Sequence, residues 1–290
     1  MPSLLVPGDL LVVNDTRVTA KRLFGQRPSG GKVELLLLRQ VSPLSFVSMA
    51  KPGRRLPVGA QVEFGEGYPR AKIEKVLDEG LRQISFTEDP SALLHEAGRV
   101  PLPPYIHHGL ADPERYQTVY AAHGGSAAAP TAGLHFTPEV IAELKGKGVD
   151  IVHVTLDVGI DTFRPVMADD LSEHRMHGER CSIPEESAAR INAGKGRIIA
   201  VGTTSARTLE SFAQGARQVG TGSKVTDIFI RPGYKFQIID GMFTNFHMPR
   251  TTMLMMLSAL VGRDAVFNAY REALANGYRF LSFGDSMLIL

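Results

Sequence analysis

The sequence predicts an α/β protein in which a small all-β segment precedes a longer stretch of alternating strands and helices. Two observations carry this. Over residues 8–97, short runs alternate apolar and polar side chains with period two and are separated by glycine- and proline-bearing turns. From residue 98 onward, apolar strand-like runs alternate with helical patterns, as expected of helices packed on a mixed or parallel sheet. The expected division is a β domain at 8–97, a small barrel or sandwich, and an α/β domain at 98–290.

Taken in order, Leu10-Leu11-Val12-Val13 is a short apolar strand, and 32–38 begins in alternation and ends as a buried run. Residues 61–64, 71–76 and 81–86 alternate with period two, and 93–98 is a short helical turn ending at glycine. Pro101 to Pro104 bracket a rigid connector. Thr137-Pro138-Glu139 opens a helix, with threonine as N-cap, proline at the first helical position and an acid in the first turn. It is followed by a strand at 149–156, a helix at 187–193 and a continuous apolar strand at 197–201 of the kind buried on both faces. A helix at 204–214, a strand at 224–230 and helices at 251–260 and 263–275 complete the series. Met253, Met255 and Met256 read as helix core.

Composition narrows the function classes. Hydrophobic residues make up 43% of 290, enough for a substantial core. Apolar runs such as 35–38 and 253–257 fall far short of the roughly 20 residues of a membrane span. The opening residues carry no basic flank before their apolar stretch, so no signal peptide is expected. The single cysteine, Cys181, has no internal disulfide partner, and a reduced, cytoplasmic protein is expected. Formal net charge is +2, so a nucleic-acid partner needs a local basic face. Lys51, Arg54 and Arg55 in one loop, and Lys21, Arg22, Arg27 and Lys32 in another region, supply candidates.

Four stretches could carry chemistry. Val201-Gly202-Thr203-Thr204-Ser205 joins a buried strand to a helix start; it is either a simple capped start or an anion site built on free N–H groups. No Walker lysine follows it, and no G-x-G-x-x-G is present. His174-Arg175-Met176-His177-Gly178-Glu179 could bind zinc, act in acid–base chemistry or be an exposed loop. In Pro130-Thr131-Ala132-Gly133-Leu134-His135-Phe136, small residues allow close backbone approach to a ligand beside a histidine. Thr244-Asn245-Phe246-His247-Met248-Pro249 offers an amide that both donates and accepts, or an Asx-type cap.

In their order along the chain these stretches resemble the motif series of the S-adenosylmethionine:tRNA ribosyltransferase-isomerase family of queuosine synthesis. Asn14-Asp15-Thr16-Arg17-Val18, Leu102-Pro103-Pro104-Tyr105-Ile106 and Tyr116-Gln117-Thr118-Val119-Tyr120 are similar to its early motifs. Ala129 through Phe136 resembles its most distinctive stretch, and Val201-Gly202-Thr203-Thr204 with Arg207, Leu209, Glu210 and Ser211 resembles another. Phe229-Ile230, Pro232-Gly233-Tyr234, Thr244 to His247, Tyr278-Arg279-Phe280 and Gly284-Asp285 complete the order. The resemblance implies an α/β domain with an inserted small β-barrel. It also implies a reaction in which S-adenosylmethionine, as co-substrate, donates a ribosyl unit to 7-aminomethyl-7-deazaguanine at the tRNA wobble position. Epoxyqueuosine forms, and adenine and methionine are released. It implies tRNA, through its anticodon stem-loop, as partner, with no membrane, no metal and a monomeric protein.

That chemistry needs a proton acceptor, an acid for adenine departure and a site for the donor's carboxylate. The expected catalytic residues are His135, His177, Glu179 and Asp157. The expected substrate-binding residues are Asn14, Arg17, Thr131, Gly133, Thr203, Thr204, Arg207, Asn245, His247 and Asp285. Two departures from the family pattern stand out. The resemblance implies a leading segment that is absent before residue 8, and Asp157 and Asp161 stand where the family has histidine and glycine. They motivate a second reading, a family member that binds tRNA or adenosylmethionine without catalysis. A metal hydrolase using His174, His177 and Glu179 is a third.

Overall fold

Leu10–Asn14 (β1) is buried at all of its positions, as an apolar strand covered on both faces should be. The computed structural model, which describes residues 1–159, 176 and 178–290, places it inside a mixed sheet. The other described strands of that sheet are β2 (Asp150–Leu156), β3 (Glu179–Ile183), β4 (Ile198–Val201), β5 (Gly222–Thr226), β6 (Gly241–Asn245) and β7 (Ser286–Ile289). Their spatial order is β5-β3-β2-β1-β4-β6-β7. The central strands β2, β1, β4 and β6 run parallel; β3 on one side and β7 on the other run against them, and β5, antiparallel to β3, again runs with the central strands.

Five helices accompany this sheet among the described residues: Pro138–Gly146, Glu185–Ala193, Gly202–Ser211, Thr252–Val261 and Arg263–Ala275. Thr137 caps the first of them by accepting from the Val140 amide at 3.3 Å, and Thr251 caps the fourth from Leu254 at 3.4 Å. One face of the sheet packs Leu11, Val13, Ile151, Ile199, Val201 and Phe243 against Ala132, Phe136 and Leu144. In the Thr252–Val261 helix, Met256 is buried, but Met253 and Met255 are only partly so. The helix expected over 204–214 begins at Gly202 and stops at Ser211, because Ala213–Gly215 enters a hairpin with Gln218–Val219. No helix among the described residues is long and apolar enough to cross a membrane.

Met1–Arg17, Glu114–His123 and Ala129–Leu290 form one compact unit; Val18–Pro113 with Gly124–Ala128 forms the other. The observed boundaries therefore differ from 8–97 and 98–290. β1, expected within the β domain at 8–97, is a central strand of the larger unit. An apolar run of this kind does not reveal its pairing partners, and its parallel neighbours lie more than a hundred residues away.

The smaller unit is built on six antiparallel strands in the order Lys21–Gln26, Lys32–Ser42, Ser45–Lys51, Arg82–Phe86, Ala71–Val76, Gln61–Val62. Gln26 and Glu63 exchange both backbone hydrogen bonds, at 2.9 and 2.8 Å, which brings the first strand back to the last and nearly closes a barrel. Gly25 makes that approach possible: a Cβ there would stand 2.5 Å from the Glu63 carbonyl oxygen. Leu23, Leu35, Leu56, Ile73, Ile84 and Leu93 fill the interior. Buried Arg82 donates to the carbonyls of Gly53, Leu56 and Gly80 and so fixes the turn that exposes Arg54 and Arg55.

Candidate active site

The carboxyl ends of parallel strands are where open α/β sheets bind ligands. Val201 at the end of β4 pairs with Phe243, so β6 continues to Asn245 beyond the point where β4 turns at Gly202. Side chains alternate along a strand, and Phe243 packs with Ala132 and Phe136. Asn245 shares that face and meets the 3-10 turn Thr131–His135. Its amide nitrogen donates to Thr131 Oγ1 at 2.8 Å, and its carbonyl oxygen lies 2.8 Å from His135 Nε2. A carbonyl only accepts, so this contact places the imidazole proton on Nε2 and leaves a lone pair on Nδ1. Nδ1 makes no hydrogen bond among the described residues. The ring stands edge-on to Phe243 with centroids 5.8 Å apart.

Gly133 lets this turn sit close to a tyrosine. A Cβ at position 133 would lie 2.2 Å from Tyr120 Oη and 2.7 Å from Thr118 Cγ2. Tyr120 Oη and Thr118 Oγ1 are buried, with no hydrogen-bond partner among the described residues. Burial, with nearby Asp15, raises the Tyr120 phenol well above its ordinary value. Gly202 has φ +83, and a Cβ there would meet Ala132 Cβ at 3.3 Å, so the 131–135 turn lies against the start of the next helix.

That helix, Gly202–Ser211, is largely polar yet buried from Gly202 to Glu210. Buried polar side chains need partners. Ser205 and Thr208 donate back to the Val201 and Thr204 carbonyls at 2.8 and 3.0 Å. Glu210 accepts from Tyr234 Oη and from the amides of Gln237, Ile238 and Ile239, which makes it an anchor for that loop. Arg207 forms a buried ion pair with Glu179 through Nη1. The other oxygen of Glu179 accepts from the Gly159 amide at 2.8 Å. Arg207 Nε and Nη2 and Thr204 Oγ1 have no hydrogen-bond partner among the described residues. The helix start has no side-chain cap.

At the ends of β1 and β2 the side chains hold one another. Asn14 accepts from the amides of Thr16 and Leu156 and donates to the Leu156 carbonyl, so its whole amide ties the two strands together. Asp157 accepts from Thr16 Oγ1 at 3.1 Å, and burial raises its carboxyl above the ordinary value. Buried Asp15 accepts from Thr155 Oγ1 at 2.7 Å and lies 3.2 Å from His123 Nδ1. Arg17 makes an exposed two-pronged contact with Glu114 at 2.6 and 2.8 Å.

The remaining expected residues are placed as follows. His247 Nε2 lies 2.9 Å from Thr244 Oγ1, and burial pushes its imidazole down to about 4, so the ring is neutral near pH 7. Its amide donates to Tyr270 Oη at 2.7 Å. Asp285 accepts from the Arg279 amide at 2.7 Å. His177, with Asp161 and His174, lies outside the described residues. Cys181 is buried, and burial pushes its thiol up to about 11, which leaves it unreactive. Thus the structure brings Thr131, Gly133, His135 and Asn245 to the start of the helix carrying Thr203, Thr204 and Arg207. Asn14 and Asp157 lie at neighbouring strand ends. Asp15, Thr118 and Tyr120 were not picked out from sequence as site residues; the only signal was their position within motif stretches.

Comparison with known proteins gives a consistent set of likenesses. A family model described as "Queuosine biosynthesis protein" matches residues 1–289. The S-adenosylmethionine:tRNA ribosyltransferase-isomerase of Desulforamulus reducens is 50% identical over 292 residues, which cover 99% of this chain and 86% of that protein. The protein of the same name from Moorella thermoacetica is 50% identical over 297 residues, covering 100% and 87%. The crystal structure of S-adenosylmethionine tRNA ribosyltransferase from Thermotoga maritima aligns with a TM-score of 0.51 at 33% identity, covering 100% of this chain and 85% of that one.

Proposed function

The chain belongs to the queuosine biosynthesis protein family, and from that premise we propose that it is an S-adenosylmethionine:tRNA ribosyltransferase-isomerase. It moves the ribosyl unit of adenosylmethionine onto 7-aminomethyl-7-deazaguanine at the tRNA wobble position and isomerises it, giving epoxyqueuosine, adenine and methionine. The relatives' shared name supports the activity. The observation that carries it to these residues is the Thr131–Asn245–His135 network beside the start of the Gly202–Ser211 helix.

In this reading His135 accepts a proton at Nδ1, because Asn245 fixes the tautomer that leaves that nitrogen basic. Asp157, which accepts from Thr16, supplies the acid for adenine departure, its carboxyl raised above the ordinary value by burial. Glu179 holds Arg207 in place, and Arg207 with Thr203 and Thr204 receives an anionic group. Asn14 and Asp285 brace the ends of their strands, and His247 supports the Asn245 turn as a neutral imidazole. Arg54 and Arg55 on the smaller unit offer phosphate contacts to the anticodon stem-loop. A monomer working in the cytoplasm without a metal completes the proposal.

The test is incubation of the protein with adenosylmethionine and tRNA bearing the deazaguanine precursor, with adenine measured by chromatography. Adenine released in proportion to tRNA modified is expected. Tight binding of both substrates without adenine release would favour the non-catalytic reading instead.

A further inference from the structure

We infer that the start of the Gly202–Ser211 helix is the carboxylate pocket for the methionine end of adenosylmethionine, and that RNA phosphates do not use it. This rests on the transferase reading and decides which of its two anions the site takes. The helix is ten residues long, and its first-turn amides have no side-chain cap. Amides in that position, with the positive end of the helix dipole, attract a carboxylate.

A second observation points to a ligand. Thr204 is 8% exposed, and its hydroxyl has no hydrogen-bond partner among the described residues. A Cβ on Gly202 would lie 3.7 Å from that oxygen, so the hydroxyl stands beside the helix's first residue. A buried hydroxyl costs free energy unless something supplies its partner. A ligand carboxylate accepts from it and from the neighbouring amides together.

Access separates the two anions. Thr203 is 8% exposed and Ser205 0%, and Ala132 rides over Gly202. A backbone phosphate carries a sugar on each side and needs an open approach. The amino-acid arm of adenosylmethionine is a flexible, unbranched chain ending in its carboxylate, and it can thread into a covered pocket. The Thr131–His135 turn, whose Ala132 meets Gly202, carries His135 beside that pocket and is tied to Asn245 of β6. The donor's sulfonium carbon, a few bonds from its carboxylate, then falls within reach of His135.

Calorimetry with adenosylmethionine and with its decarboxylated analogue tests this without turnover. Wild-type protein is expected to bind the analogue at least about tenfold more weakly, the loss that follows removal of a charge-assisted hydrogen-bonded anion. Thr204→Val should weaken adenosylmethionine by about tenfold, leave the analogue unchanged, and be rescued by Thr204→Ser. Precursor-tRNA affinity should not change. Equal wild-type affinity for the two ligands would overturn the assignment even if the valine variant fails to fold. So would equal weakening of both ligands by Thr204→Val, adenosylmethionine affinity left unchanged by it, or a loss confined to tRNA. Wild-type protein that binds neither ligand would instead contradict the transferase reading itself.

Discussion

Glu179→Gln removes one charge from the larger unit while keeping the side chain's shape and its acceptor for the Gly159 amide. What it takes away is the counter-charge of Arg207. Both side chains of the pair are 8% exposed, so the guanidinium would be left buried and uncompensated. Breaking a buried pair from one side costs about 3–5 kcal/mol. For a unit of this size each kcal/mol moves the unfolding midpoint by about 2–4 °C, so a drop of about 10 °C is expected. Thermal and urea unfolding followed by circular dichroism measure it. Removing both charges, as Glu179→Gln with Arg207→Met, should recover most of the loss, because no buried charge then lacks a partner and the Gly159 amide keeps its acceptor. If Glu179→Gln instead unfolds within about 1 kcal/mol of wild type while adenine release disappears, Glu179 is a proton-transfer group and its anchoring role is wrong.

Other outcomes follow from the same geometry. Gly133→Ala puts a methyl where Tyr120 Oη stands and should cost about 1–3 kcal/mol in urea unfolding; adding Tyr120→Phe should relieve part of that cost. His135→Gln should lower the rate of adenine release by about a hundredfold with the unfolding midpoint unchanged, since the ring is partly exposed and its lost function is proton transfer. His247 titrates near 4 when folded and near 6.5 when unfolded, so below about 6.5 only the unfolded chain takes up its proton. Stability should therefore fall by about 3 kcal/mol as pH drops from 6.5 to 4, and His247→Gln should flatten that part of the urea-midpoint profile. Asp157→Asn should reduce adenine release more than it reduces adenosylmethionine affinity, measured as kcat against Kd, if its protonated carboxyl assists the leaving group.

Local patterns made much of the fold legible. The Thr137-Pro138-Glu139 start carries its own capping chemistry, and the structure shows that cap. Ala71–Val76 keeps the alternation that marks a strand with one face in the core. β3, β6 and β7 were missed for different reasons. Glu179–Ile183 begins with two charged residues, and buried Glu179 finds its counter-charge, Arg207, on another element. Gly241–Asn245 opens with glycine and ends in polar residues, which reads as a loop until its neighbour β4 is known. Ser286–Ile289 is short and only partly buried at the sheet edge. Within the site, the small residues around Gly133 and Gly202 signalled close backbone approach. The Asn245–His135 contact joins residues 110 positions apart, and Asn14 looked like a ligand-binding amide although both of its groups are taken by backbone. Pairings of that kind are properties of the assembled sheet.

The most direct measurement is the mass of the wobble nucleoside after precursor tRNA is treated with this protein and adenosylmethionine, digested and separated by liquid chromatography. A nucleoside with the mass of epoxyqueuosine, formed by wild type and lost in His135→Gln, is the predicted result. An unmodified precursor nucleoside from folded wild-type protein that binds both substrates would contradict the account.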